Sequence, residues 1–295
     1  MKPFLFLPLA LPLSLLASPL EEDQVEESFI PAYTVGQFYY SWNADADFDS
    51  GSDELGNQEI GLQANVPLFQ YQALRATTGL RFRYNQFEFD GTTFPLGNQE
   101  LDLYRVLFPF DFWTRFQENL TSWVRVMPGV ATDFEDLNGD AFDLTVLALL
   151  SYGFAEDWKL IGGGYYSQDT GEAVLLPAVG LIWEPSPNSR LNLTFPRFQV
   201  LFAPNDDWLF SASAYLNGAS WNVEDPVNGE SVQLNYGVVR LALGAEKHLG
   251  NGFWLFGDIG YQVGQSLEIE DSSRVALDTD IDGNLFLNLG LNYRF

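Results

Sequence analysis

The twelve residues Asn284-Leu-Phe-Leu-Asn-Leu-Gly-Leu-Asn-Tyr-Arg-Phe295 decide the fold. Leu285, Leu287, Leu289, Leu291, Tyr293 and Phe295 alternate with Phe286, Asn288, Gly290, Asn292 and Arg294, so a strand would send six apolar side chains to one face. The pattern recurs upstream. Ile60, Leu62, Ala64, Val66 and Leu68 alternate with Glu59, Gly61, Gln63 and Asn65, and Leu74, Ala76, Thr78, Leu80, Phe82 and Tyr84 alternate with Arg75, Thr77, Gly79, Arg81, Arg83 and Asn85. A soluble sandwich turns the apolar face inward, whereas a membrane barrel turns it to lipid and keeps a polar interior. The polar face here is rich in Gly, Asn, Gln, Ser, Thr and isolated Arg, and beyond the N-terminus the only lysines are Lys159 and Lys247. Aromatic residues such as Trp42, Trp113, Trp158, Trp183, Trp208 and Trp254 gather near segment ends, where interfacial girdles sit. The sequence therefore reads as an all-β, antiparallel transmembrane β-barrel with a closing strand that ends in Phe295.

Segments of this kind fall at roughly 33–44, 58–69, 72–88, 98–108, 119–132, 141–154, 158–168, 173–184, 190–195, 198–204, 207–217, 231–247, 252–267 and 284–295. A turn at Pro196 and Arg197 gives an even count and puts the long segments 45–57, 89–97, 133–140, 218–230 and 268–283 all on the outer side. Fourteen strands are favoured, with twelve as runner-up. Two stretches break the pattern. The apolar parity switches near Tyr104 between Leu101 and Phe108, and Val232 and Leu234 disagree with Val239, Leu241 and Leu243; a bulge in each strand is the expected repair.

The N-terminus has a basic start at Lys2, an apolar run from Phe4 to Leu16 and small residues at Ala17 and Ser18, which reads as a secretory signal peptide. The run is shorter than the ~20 residues of a spanning helix. The organisation expected is a signal peptide at 1–17, an acidic polar tail at 18–32 and an outer-membrane barrel at 33–295. With 40 acidic and 14 basic side chains and a net charge of −26, the chain lacks the clustered cations of a nucleic-acid binder. It has no cysteine, which removes disulfides, thiolate metal sites and thiol nucleophiles.

The closing strand, with Phe295, Tyr293, Leu291 and Leu289 as its signal, resembles the segment by which outer-membrane barrels are recognised by their assembly machinery. More narrowly, the chain resembles a domain-of-unknown-function family of bacterial outer-membrane barrels. The residues that suggest it are Met127-Pro128-Gly129, Leu191-Asn192-Leu193-Thr194-Phe195-Pro196, Asn235-Tyr236-Gly237 followed by Arg240, and Leu289 to Phe295. The resemblance covers most of residues 33 to 295 and implies no catalytic or binding residues.

Several constellations carry candidate chemistry. Arg75, Arg81, Arg83, Arg105, Arg125 and Arg240, with Glu59, Asp102 and Asp258, lie on the polar face and would line the lumen. They form either a selectivity field across a pore or mutually paired groups that fill a narrow barrel. Asp278, Asp280, Asp282 and Gly283 match the start of a calcium loop, yet Leu289 stands where its bidentate Glu belongs, so Ca2+ is the one cofactor considered and a solvated acidic loop is the competing reading. The single histidine, His248, sits in a short turn, and no nucleophile or His-based metal motif is present, so no enzyme activity is expected. The functional expectation is a passive, porin-like channel for small polar solutes or ions, with a cation bias from the acidic outer loops. The alternative is a closed structural or surface-interaction barrel whose outer loops bind divalent cations. Expected partners are outer-membrane lipid and lipopolysaccharide.

Overall fold

The computed structural model describes residues 30, 34–49, 53–91, 95–96, 100–135, 137–170, 172–225, 229–270 and 275–294. The signal peptide, most of the acidic tail and Phe295 lie outside these residues. The described chain forms β1 (Thr34–Asp47), β2 (Glu54–Tyr71), β3 (Leu74–Asp90), β4 (Glu100–Leu107), β5 (Phe110–Gln117), β6 (Leu120–Thr132), β7 (Phe142–Ala155), β8 (Trp158–Thr170), β9 (Glu172–Ser186), β10 (Ser189–Thr194), β11 (Arg197–Asn205), β12 (Trp208–Glu224), β13 (Ser231–Gly250), β14 (Phe253–Glu270), β15 (Val275–Ile281) and β16 (Asn284–Arg294).

β4 and β5 both lie between β3 and β6. They are halves of one wall strand, interrupted where Pro109 supplies no N–H to the ladder. β15 and β16 likewise run end to end along β14. With each such pair taken as one, fourteen antiparallel wall strands form a ring that β1 closes against β16, from Thr34↔Arg294 to Asn43↔Phe286. Segment 109–118, left outside the strands by periodicity, is mostly wall, and its turn is only Glu118-Asn119. The expected break at Pro196 is present: Thr194 pairs with Arg197 around Phe195-Pro196, whose peptide bond is cis.

Turns of two residues at 72–73, 118–119, 156–157, 187–188, 206–207 and 251–252 share one rim, the periplasmic side of such a barrel. Asn251-Gly252, with φ 52° and 79°, is the pair that a tight hairpin turn requires. The outward residues above this rim are apolar, as in Leu285, Leu287, Leu289 and Leu291 of β16 or Leu241 and Leu243 of β13, and all are exposed. Inward neighbours such as Asn288, Asn292, Gln262 and Arg240 are polar and buried.

Further out the pattern inverts. Leu101 and Leu103 point inward in unbroken register with Arg105, while Glu100 and Asp102 point out. Val232, Leu234, Tyr236 and Val238 share the inner face of β13 with Arg240, paired residue for residue with β12. Neither strand contains the expected bulge. In a membrane barrel, strand ends that project beyond the bilayer meet water outside, and the interior becomes the apolar side, which accounts for the inversion. The inner residues merge into one cluster that includes Phe48, Leu55, Phe87, Phe89, Leu103, Trp221, Leu234, Tyr236, Leu267, Ile269 and Ile281. Phe87 is its hub, with ring centroids 5.7 Å from Trp221, 5.3 Å from Tyr236 and 6.3 Å from Phe89. The shift in the β13–β14 ladder lies on β14 at Gly264, φ 57°.

The expected outer loop 218–230 is mostly strand. The outer half of β12 leaves the wall and crosses the interior to lie against β6 and β8. Asn222 pairs with Thr132, and the Asp133 N–H donates to the Asn222 carbonyl at 3.3 Å. Trp221 and Val223 thereby cap the outer end of the lumen. At the opposite end Ile30, from the tail, packs against Leu201, Ala203, Leu209 and Trp254.

Candidate functional site

Between these two apolar ends lies a polar chamber of about 350 Å³. Its charged lining comprises Arg81, Arg83, Arg105, Arg197 and Arg240 against Glu59 and Asp258. Inward-facing positions of β2, β3, β4, β11, β13 and β14 supply them, so period-two alternation alone brings residues distant in sequence into one compartment.

Glu59 and Arg240 are almost wholly buried, at 1% and 2% exposure, with Oε2 and Nη2 3.8 Å apart. The Arg240 Nε donates to Gln262 at 2.8 Å, Nη2 donates to Asn43 at 3.1 Å, and the guanidinium lies 5.0 Å from the Phe286 ring centroid. Glu59 accepts from the Tyr39 hydroxyl and from the Asn85 amide at 3.3 Å. Tyr39 reaches it by lying across Gly61, where an added Cβ would fall 2.0 Å from the ring. Charge, hydrogen bonds and packing thus fix this group as a unit.

Arg83 and Arg105 do different work. Arg83 donates to the Asn217 side chain at 2.7 Å and to the Gly218 carbonyl at 3.3 Å; Arg105 donates to the same carbonyl at 3.3 Å and forms an ion pair with Asp143. The two arginines hold β12 where it turns into the lumen. Gly218 has φ 147°, a conformation that few side chains tolerate.

The remaining sequence candidates divide. Arg81 and Asp258 line the chamber, and Asp258 accepts from Asn288 at 3.5 Å. Arg75 faces inward at the periplasmic end, 5.5 Å over the Trp113 ring, and Arg125 is paired with Asp111 at 2.6 Å, so neither lines the chamber. Asp102 is a correction: it lies on the outer face of β4, where the Tyr84 hydroxyl donates to it at 2.5 Å. The candidate calcium loop is another. Asp278 and Asp280 sit on β15 and Asp282 just after it, all exposed, and alternate residues on a strand stand roughly 6.6 Å apart along one face and do not converge on an ion. Among the described residues no group of three metal-ligating side chains is present. His248 lies within β13, two residues before its end, rather than in a turn, and stacks on Trp254 at 4.8 Å.

Sequence reasoning missed Tyr39, Asp143 and Arg197. Arg197 was assigned to a turn, but it opens β11 on the lumen side; the alternation of Phe198, Val200 and Phe202 outward, extended by one residue, carries that signal.

The profile of the family described as Domain of unknown function (DUF6268) matches residues 27–294. The chain belongs to this family. No curated protein matches the sequence. Among solved structures the chain is similar to the COG4313 outer membrane channel from Pseudomonas putida F1, at 11% identity and TM-score 0.51, over 92% of this chain and 100% of that one. It is also similar to the KdgM porin in complex with disordered oligogalacturonate, at 5% identity and TM-score 0.38, over 88% and 99%, and to the Pseudomonas putida toluene transporter TodX, at 12% and 0.35, over 91% of each. The likeness to the first is one of fold, and this DUF6268 member has the architecture of an antiparallel β-barrel.

Proposed function

We propose that the protein is exported to the outer membrane of a diderm bacterium and acts there as a passive channel for small polar solutes, drawn here in its closed state. The observation that carries this reading is the polar chamber itself, a buried charged compartment inside a lipid-facing wall. The β12–β13 hairpin is the outer gate, held by Arg83 and Arg105. The acids on the outer strand ends, such as Asp45, Glu88, Asp90, Glu100 and Asp280, enrich cations at the mouth and face the lipopolysaccharide head groups. The chamber has the opposite sign, with five arginines against two carboxylates, so once the gate opens the narrow part favours anions. The reading involves no catalytic step.

Planar-bilayer recording tests it. Arg83→Ala removes both hydrogen bonds to β12 and should increase the number of stepwise openings, with a reversal potential in a KCl gradient on the chloride side. Absence of stepwise conductance from both the parent and Arg83→Ala overturns the channel reading. The extent of the apolar cap specifically favours a second reading, a permanently closed barrel with a surface role, and that result would select it.

A further inference from the structure

We infer that the wall has a lateral port above the β10–β11 turn, through which a single-chain amphiphile with an anionic head passes between the bilayer and the chamber. The inference rests on the chamber being a transit compartment and adds a second route into it.

Strand lengths carry the first step. β10 has six residues and β11 nine, whereas the flanking β9 and β12 have fifteen and seventeen. β9 pairs with β10 only as far as Gly180↔Thr194, and β12 pairs with β11 only as far as Tyr215↔Arg197. Above those points the two tall strands have no wall strand between them. Thr194 stands opposite Gly180, three residues above Trp183, and Tyr215 is seven residues above Trp208, both tryptophans being in the periplasmic aromatic girdle. At ~3.3 Å per residue and a ~40° tilt, the turn therefore sits roughly 8 to 18 Å above that girdle, inside an apolar band ~25 Å tall.

A gap at that depth would leave unpaired backbone in hydrocarbon, which is tolerated only where the backbone is buried in protein or lines a cavity. β12 meets the condition by leaving the wall just above Tyr215 and packing inside against β6 and β8. β9 meets part of it through composition. The Val179 carbonyl accepts from the Phe195 N–H at 3.1 Å, so the nitrogen of Pro177, two residues on, lies at the same edge and carries no donor.

The side chains around the gap fit an amphiphile. Leu175, Val179, Leu193 and Phe198 are exposed on its outer side, and an apolar depression on the lipid face, lined by Phe198, Val200, Ala212, Ala214 and Leu243, lies below it. Arg197 sits on the sill, exposed, with its guanidinium 5.2 Å over the Tyr215 ring. Arg197, Tyr215 and Leu216 also line the chamber, so the sill is continuous with the polar interior. An apolar body outside and a fixed cation at the threshold select an anionic head on an apolar tail. A cavity of about 350 Å³ is at the small end of ligand pockets and too small for a two-chain lipid.

The cysteine-free chain allows a direct test in nanodiscs that needs no conductance. A bimane label on Leu216→Cys should be quenched by brominated acyl chains nearly as well as one on the lipid-facing Leu243→Cys, whereas a label on Gln63→Cys, on the far side of the chamber, should not. Dansylaminoundecanoate should give a saturable signal above empty nanodiscs, at least about tenfold weaker in Arg197→Gln, restored in Arg197→Lys and unchanged in Arg115→Gln. A label at 216 shielded like that at 63, or binding indifferent to Arg197, overturns the port. A barrel that conducts but fails both measurements has a channel without a lateral port; one that passes both but never conducts has the port without an outer gate.

Discussion

Phe87→Ala should open the outer end of the barrel while leaving its membrane belt intact. Phe87 is fully buried, and its ring meets Trp221 of the inward-folded β12, Tyr236 of β13 and Phe89 of β3. Truncation of a buried phenylalanine to alanine costs about 3–5 kcal/mol through lost transfer energy and the cavity left behind. The cost falls on the closed arrangement, because when the hairpin swings out Phe87 loses Trp221 and Tyr236 in either protein. The closed-to-open equilibrium therefore shifts by about 10²- to 10⁴-fold. Single-channel recording should show a corresponding rise in open probability, and hydrogen exchange should quicken in residues 217–238 but not in β16. Leu243→Ala, on the lipid face and 65% exposed, is the matched control, since lipid refills the space and the gate is untouched. If Phe87→Ala inserts normally yet leaves open probability and exchange at parental values, the apolar cluster is not what holds the hairpin, and the gate argument fails.

Three further outcomes follow from named contacts and a fourth from the sequence of the closing strand. Glu59→Gln leaves Arg240 buried without its counter-charge and should lower unfolding stability in vesicles by about 3–5 kcal/mol, measured by urea titration. Gly61→Ala drives a methyl into the Tyr39 ring and should cost about 1–3 kcal/mol in the same titration, with Tyr39→Ala in the same chain relieving most of it. At the periplasmic rim a hydrogen bond from Lys247 and its charge hold the exposed Asp207 carboxyl below its ordinary range. Any contribution from that pair is therefore present at neutral pH and lost only as pH falls through the lowered value, so parent and Asp207→Asn should converge in stability in strong acid and differ slightly, if at all, at pH 7. Deletion of Phe295 should reduce the heat-modifiable, membrane-inserted fraction in cells, and normal insertion would count against the closing strand as an assembly signal.

The wall was legible because a barrel repeats one rule. Lipid on one side and a polar interior on the other force alternation, so Leu285 to Leu291 could be assigned their face, and the strand count followed from keeping acidic segments on one rim. Loops were overestimated for a related reason. Segments 218–230 and 268–283 look polar because their outward residues face water, yet they are largely β12, β14 and β15, whose inward residues are apolar. The lumen residues were legible only as a set. Parity assigned Glu59, Arg83 and Arg240 to the interior, but pairing across the barrel depends on which strands face one another. Nothing in the one-dimensional pattern joins Arg83 to Gly218, 135 residues away, because that contact exists only when β12 leaves the wall.

The two breaks in periodicity mark a physical boundary. In β4 the inward series runs Leu101, Leu103, Arg105 without a slip in pairing, and in β13 it runs Val232, Leu234, Tyr236, Val238, Arg240, unbroken against β12, with the extra residue of the β13–β14 ladder lying on β14. A bulge would have moved each strand's side chains to the other face; what changes instead is the medium outside the wall. Below Tyr104 and Val239 the outside is lipid and the interior can be wet, so arginine is tolerated within. Above them the outside is water, and the same inner face must bury apolar surface or leave the projecting strands unsupported. Parity reversal without a bulge therefore locates the outer membrane surface along each strand, and an apolar run on the inner side beyond that point marks a lumen that is closed outward. By the same rule β10 and β11, which stop below the boundary and show no reversal, are the strands at which the wall fails to reach water.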